Sequence, residues 1–131
     1  MKTRNVHHSV YFKAPVSAVY ELLMDPKKHK ELSFGHRAVI SARAGSTFSV
    51  WGGGLHGFML VAVRNKQIVQ AWRSEEWPKY HFTIASYRFE KSRNGTKLTF
   101  DQYGVPAGSY RDIASGWRTY YWKPMKKMLE K

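Results

Sequence analysis

The sequence predicts an α+β fold in which a curved antiparallel sheet of about six to seven strands closes around one long C-terminal helix, in the order β-α-α-β(5-6)-α. The first observation behind this is the last quarter of the chain, residues 104–131, where Tyr110, Ile113, Trp117, Tyr121, Pro124 and Met128 recur at steps of three and four. That spacing aligns them along one side of a helix, and Tyr120, Met125 and Leu129 widen the side into a broad apolar face. The second observation is a succession of β-rich runs between Phe34 and Tyr103, each divided from the next by a turn. The third is the shortness of those connections, which favours antiparallel neighbours over the long crossovers of parallel pairing. An aromatic helix face must bury against something apolar, and the strands supply it.

Each element follows from local chemistry. Residues 6–13 carry Val6, Val10 and Phe12 in near alternation and read as a first strand, with His7 and His8 on opposite faces. Ala14-Pro15 breaks that strand, and Pro15 opens a helix striped by Val16, Val19, Tyr20 and Leu23. Asp25-Pro26 restarts the chain into a second short helix, capped by Asp25 and running to about Leu32. The strand signals are residues 39–40, 47–51, 55–63, 67–73, 82–90 and 96–103. Ala44-Gly45, Gly52-Gly53-Gly54, Asn65-Lys66, Trp77-Pro78 and Asn94-Gly95 separate them. Within 82–90, Phe82 and Ile84 share one parity while Tyr87 and Phe89 share the other, so a bulge is expected near Ala85-Ser86. Pro124 lacks an N–H and clashes with the carbonyl four residues back, so it should kink the last helix or loosen its ladder.

A chain of 131 residues suits a single domain, 1–131. Cysteine is absent, which removes disulfides, thiolate nucleophiles and Cys-based metal sites. No apolar segment of signal-peptide type opens the chain and no run of about 18 apolar residues occurs, so the expectation is a soluble cytoplasmic protein without membrane insertion. Asn94-Gly95-Thr96 matches a glycosylation sequon but reads better as a hairpin turn. The formal charge of +13 raises the question of nucleic acid. Its distribution answers against a dedicated site. The densest clusters, Lys27, Lys28, Lys30 and Lys123, Lys126, Lys127, Lys131, fall at helix ends or on polar helix sides. No helix-turn-helix, zinc-finger or RNP signature accompanies them, so no specific nucleic acid is expected. A monomer or weak dimer is the expected state.

Several short motifs follow one another along the chain: Ala14-Pro15-Val16 with Val19-Tyr20, Val69-Gln70-Ala71-Trp72-Arg73 followed by Trp77-Pro78, Gly104-Val105-Pro106, and Gly116-Trp117 with residues 120–125. Together they span nearly the whole chain. In this arrangement the sequence resembles the START-like (SRPBCC) helix-grip superfamily, in the branch related to the C-terminal domain of the activator of heat-shock protein 90 ATPase. The resemblance implies a sheet wrapped around the terminal helix, with the two short helices closing one end of a cavity.

No constellation announces catalysis. Of nine acidic residues, Glu75-Glu76 beside Trp77 could serve as a general base at a pocket mouth, or simply lie in a solvated loop. Asp101 could face a ligand, or pair across strands with an Arg. The six histidines lack metal-ligand spacing. Gly52-Gly53-Gly54 lacks the Gly-Lys-Ser/Thr ending of a phosphate loop, and no Gly-x-Ser-x-Gly elbow occurs. No catalytic residue, metal or cofactor is therefore expected.

What stands out is five Trp, eight Tyr and seven Phe. A kinked helix against a curved sheet leaves space that side chains or a ligand must fill, and the candidate lining is Trp51, Trp72, Tyr87, Trp117, Tyr120 and Tyr121. Plain core packing is the alternative for each, and Arg73, of opposite parity to Trp72, is expected outward. The leading expectation is non-enzymatic binding of a small hydrophobic or amphipathic molecule between sheet and helix. The resemblance implies a second, a co-chaperone-type interaction module contacting heat-shock protein 90, and a third, a cyclase- or hydratase-like enzyme using the same cavity.

Overall fold

The structure is a computed structural model that describes residues 1–130. Lys131, the end of the expected helix and a member of its lysine cluster, lies outside the described residues. The elements are β1 (Thr3–Phe12), α1 (Val16–Met24), α2 (Pro26–Leu32), β2 (Thr47–Val50), β3 (Leu55–Val63), β4 (Gln67–Ser74), β5 (Thr83–Ser92), β6 (Gly95–Pro106), α3 (Tyr110–Trp117) and α4 (Lys123–Leu129). A π turn, Arg118–Trp122, joins α3 to α4 without a break in helical backbone. The six strands form one antiparallel sheet in the order β1-β6-β5-β4-β3-β2. This is the helix-grip architecture, and the alternation that predicted β1 is visible in its burial: Val6, His8, Val10 and Phe12 face the core.

Local signals were sound where the chemistry is local. The Asp25 carboxylate accepts from the backbone N–H groups of Lys27 and Lys28 at 2.9 and 3.1 Å and caps α2. Asn65 and Asn94 adopt left-handed φ of 62° and 70° in the two tight turns that bear them. The expected strand at 39–40 shrinks to one bridge, Val39 to Ser49. The segment around it, with Gly35 and Gly45 at φ of 88° and 85°, turns too often to extend.

The expected bulge at Ala85-Ser86 does not occur. Thr83, Ala85, Tyr87 and Phe89 all face the core in unbroken alternation, and Phe82 and Ile84 lie on the outer face. The bends lie elsewhere. Between the pairs Arg4–Val105 and Val6–Gln102, β6 advances three residues while β1 advances two, and Gly104 takes φ 87°. Likewise β3 gains a residue at Leu60 between the pairs Met59–Gln70 and Val61–Val69. These two bulges curve the sheet over the helix.

Trp117 is the centre of the packing. Its ring lies 4.3 Å from Phe100, 5.6 Å from Trp72 and 5.9 Å from Tyr87, centroid to centroid, reaching β6, β4 and β5. Its indole N–H donates to Gln102 Oε1 at 2.8 Å, the Gln102 amide donates to Thr83 Oγ1 at 2.9 Å, and the Thr83 hydroxyl donates to the Trp72 carbonyl at 2.7 Å. Every member of this chain is buried and partnered. The apolar face of the helix is not the one that unbroken helical spacing gives. Ala114, Trp117, Tyr121, Trp122 and Met125 are buried, whereas Tyr120 is 51% exposed. The π turn explains the change: it adds one residue to the turn, so Tyr121 and Trp122 both point inward and Tyr120 is rotated out.

Close backbone packing makes glycine obligatory at Gly95, where a Cβ would overlap the Phe12 carbonyl oxygen, and at Gly57. Gly57 sits between Phe48 on β2 and Trp72 on β4, and a Cβ there would overlap the Ala71 carbonyl oxygen and crowd Phe48 Cε1 at 3.1 Å. Urea unfolding of Gly57→Ala should show a loss of about 3 kcal/mol, because a backbone atom must move. Gly108→Ala, where nothing lies within 4 Å of the added carbon, should stay within about 0.5 kcal/mol of the parent.

Candidate functional site

Among the described residues, sheet and helix do not enclose a large chamber. Beneath Tyr121 the interior holds only a void of about 10 Å³, bounded by Leu23, His29, Gln70, Tyr87 and neighbours, which suits at most one water. An open, mostly apolar cleft of about 400 Å³ lies at one end of the helix–sheet junction. Its walls come from the turn after β2 (Trp51, Gly54), from β3 and β4 (Leu55, Trp72, Ser74), and from α3 and the π turn (Ile113, Gly116, Trp117, Tyr120, Tyr121). Glu75, Glu76 and Asp112 complete the lining.

Five of the six expected lining residues, Trp51, Trp72, Trp117, Tyr120 and Tyr121, meet in this cleft. Tyr87 does not reach it. It lies deeper, behind Trp117, and its hydroxyl donates to Gln70 Oε1 at 3.0 Å beside the small void. Arg73 also departs from expectation. Its parity is outward, but the guanidinium is buried beneath the following loop and donates to the Trp77 carbonyl at 2.7 Å. A buried guanidinium needs such acceptors, and parity alone does not reveal them.

Tyr121, a floor residue, carries its polar contacts on the buried side. The Tyr121 hydroxyl receives the Trp51 indole N–H at 3.1 Å and lies 2.8 Å from His29 Nε2. Burial pushes the Tyr121 phenol up, and the Trp51 hydrogen bond pulls it slightly back. Burial likewise lowers His29 to about 4, so its imidazole is neutral at pH 7. His29 Nδ1 is buried without a partner among the described residues. His8 is a second neutral histidine, lowered by burial and then by Arg118 and His7, and it accepts the Trp122 indole N–H at 2.9 Å. The acids are placed differently from one another. Asp101 lies on the outer face, 2.6 Å from His7 and 3.9 Å from Arg88, which is the cross-strand role. Glu75 meets His56 at 2.7 Å and Arg73 at 3.7 Å. Among the described residues no three His, Asp or Glu side chains converge to hold a metal, and no helix is long and apolar enough to cross a membrane.

A family model for activator of Hsp90 ATPase homolog 1-like proteins matches residues 13–130, nearly all of the chain. The chain belongs to that family. Among curated relatives of this activator-family domain, an uncharacterised Schizosaccharomyces pombe protein is 29% identical over 129 residues, 98% of this chain and 38% of its own length. The mouse activator of 90 kDa heat shock protein ATPase homolog 2 is 28% identical over 93 residues, 71% of this chain and 28% of its own. The chain thus spans well under half the length of the curated relatives it matches. The crystal structure of an HSP90 activator from Plasmodium falciparum superposes with a TM-score of 0.90 over 96% of each chain, at 19% identity. At that identity the likeness concerns the fold.

The activator-family domain also places in the cleft Gly54, Leu55, Ser74, Asp112, Ile113 and Gly116, which the sequence does not single out as lining. Ile113 carried a signal through its place in the helical stripe, whereas Asp112 carried none, since only the docking angle of α3 aims it at the cleft. His29 was detectable: in the lysine-rich α2 it shares a helical face with Leu32, and these are the two buried residues of that helix.

The neutral histidine fixes an acid limb of stability. Native His29 stays neutral to about pH 4 while the unfolded chain binds a proton below its ordinary value of 6.5, so stability falls as pH drops between those values. The full span is worth about 3 kcal/mol. Urea unfolding at pH 7 and pH 4.5 should therefore show a drop that is smaller by about 2 to 3 kcal/mol in His29→Gln.

Proposed function

We propose that this domain binds a small hydrophobic or amphipathic molecule, without chemistry, in the cleft between the sheet end and the C-terminal helix. The observation that carries the reading is the convergence of Trp51, Trp72, Trp117, Tyr120 and Tyr121 on an open space of about 400 Å³. That volume lies in the range of small-molecule sites, as does its make-up of apolar wall with a few polar groups. The deepest polar point is the Tyr121 hydroxyl, bridged to Trp51 and His29. Tyr121 on the floor and His29 behind it are both held neutral at pH 7, which suits an uncharged or apolar group at the floor. The reading includes a cytoplasmic setting.

Family membership favours a second reading. Proteins of this family carry the name of heat-shock protein 90 activators, and a chain with a net charge of +13 attracts acidic partner surfaces. Retention on immobilised heat-shock protein 90 at low salt, weakening as salt is raised, is the expected result for that reading. Failure to be retained at low salt would remove it.

The ligand reading is tested with an uncharged fluorescent probe, N-phenyl-1-naphthylamine, whose emission rises in apolar surroundings. Gly116 lines the cleft from α3, and a Cβ there meets only Tyr120 Cδ2 at 3.9 Å, so Gly116→Leu fills the space from a helix that tolerates the change. The parent should bind the probe saturably. Gly116→Leu should weaken it by at least about tenfold while its melting temperature stays level or rises, since Gly is the poorer helix residue. Equal binding by both proteins would overturn the site.

A further inference from the structure

The cleft has an electrostatic character opposite to that of the protein around it. The chain carries +13, yet the charged residues lining the cleft are Glu75, Glu76 and Asp112, and no Lys or Arg joins them among the described residues. Their placement follows a gradient of burial. Trp72, Trp117 and Tyr121 form the buried floor, while Tyr120, Glu76 and Asp112 are exposed and Trp51 is half-buried at the rim. Glu75 is already engaged by His56 and Arg73. Glu76, on the loop after β4, and Asp112, in the first turn of α3, have no ion-pair partner among the described residues. Two carboxylates without ion-pair partners among the described residues thus line the cleft, one from the loop after β4 and one from α3, and Trp51 and Tyr120 line it with them.

We propose that the cleft selects amphipathic monocations, holding a compact apolar body on the Trp72–Trp117–Tyr121 floor and an ammonium group at the rim between Glu76 and Asp112, beside Trp51 and Tyr120. This rests on the ligand-binding reading above and adds the sign of the ligand's charge. The apolar floor supplies affinity by removing hydrocarbon from water. It does not distinguish an alcohol from an amine or an acid of the same chain length. The rim makes that distinction, through short-range attraction to carboxylates and to aromatic faces, which favour a cation and repel an anion. The distant surface charge works the other way and would draw anions to the protein at large. At physiological ionic strength that far field is screened within about 8 Å, whereas contacts at the rim are not.

The experiment titrates the protein with octyltrimethylammonium, octanol and octanoate at physiological salt, reading tryptophan fluorescence and, in parallel, displacement of N-phenyl-1-naphthylamine. The cation is expected to bind about tenfold more tightly than octanoate and several-fold more tightly than octanol. In Glu76→Gln with Asp112→Asn the cation should fall to the level of octanol, and octanol itself should be unchanged, which also shows the variant to be folded. If octanol binds but octanoate matches or exceeds the cation, or if the double variant keeps the preference, this inference is overturned while the ligand-binding reading stands. If neither the naphthylamine nor any of the three binds, the ligand-binding reading falls and takes this one with it.

Discussion

The structure depends on the burial of one side chain. Trp117 reaches from the C-terminal helix into three strands and cannot be buried without satisfying its indole N–H, because an unpartnered buried donor costs about 1–3 kcal/mol. Gln102 accepts that proton, Thr83 accepts from Gln102, and the Trp72 carbonyl accepts from Thr83. The relay runs across β6, β5 and β4, so it fixes where along the sheet the helix sits as well as that it sits there. Aromatic pairs add about 0.5–1.5 kcal/mol each beyond the area they bury, and Trp117 makes five such contacts, with Trp72, Tyr87, Phe100, Tyr121 and Trp122. Dispersion and burial set the strength of the docking. The directional relay sets its register.

Pro124 then decides which residues flank Trp117. In an α-helical ladder its N–H would donate to the Tyr120 carbonyl, but proline has no N–H, and its ring presses on that carbonyl. An uncompensated proline in a helix interior costs about 3 kcal/mol. The π turn over Arg118–Trp122 relieves both faults by widening the turn just before the proline. The consequence reaches the cleft. Tyr121 and Trp122 both turn inward, Tyr121 to the cleft floor and to His29, Trp122 to His8 on β1. Tyr120 is displaced to the mouth, where it stands 5.6 Å from Trp51. A proline that reads as a local defect is thus what gives the cleft its rim.

The parts of this that were legible in the sequence are those set by near neighbours in the chain. Alternation marked β1, the aspartate before Pro26 marked the start of α2, and the three-four stripe marked the terminal helix. Pro124 announced a disturbance there, but whether the helix would kink or widen depended on the aromatic residues competing for the core. Pairing register was not legible. The bulges at Leu60 and at residues 103–104 lie opposite strands that show no local sign of them, and the misplaced bulge at Ala85-Ser86 came from counting Phe82 and Ile84 as inward when the buried positions are the small Thr83 and Ala85. The residue type of Tyr87 fits the lining. Depth along the strand, which no spacing encodes, separates it from the cleft. Parity points Arg73 outward, and only the loop folded over it makes that position buried.

The cleft stays open because the chain holds small residues and a strained one around it. Trp51 adopts φ 56°, a left-handed conformation that costs a residue with a Cβ about 1–2 kcal/mol, and Gly52 and Gly53 continue the turn at φ 67° and 101°. An asparagine or glycine at position 51 would remove that strain. Neither would provide the indole that donates to Tyr121 and packs 5.6 Å from both His36 and Tyr120. Across the cleft, Gly116 leaves unfilled a position on α3 where a larger side chain would fit and would favour the helix. Helix propensity alone would favour a larger residue at position 116. Strain at one wall is thus offset by the contacts of the Trp51 indole, and the volume left free at Gly116 keeps the other wall open.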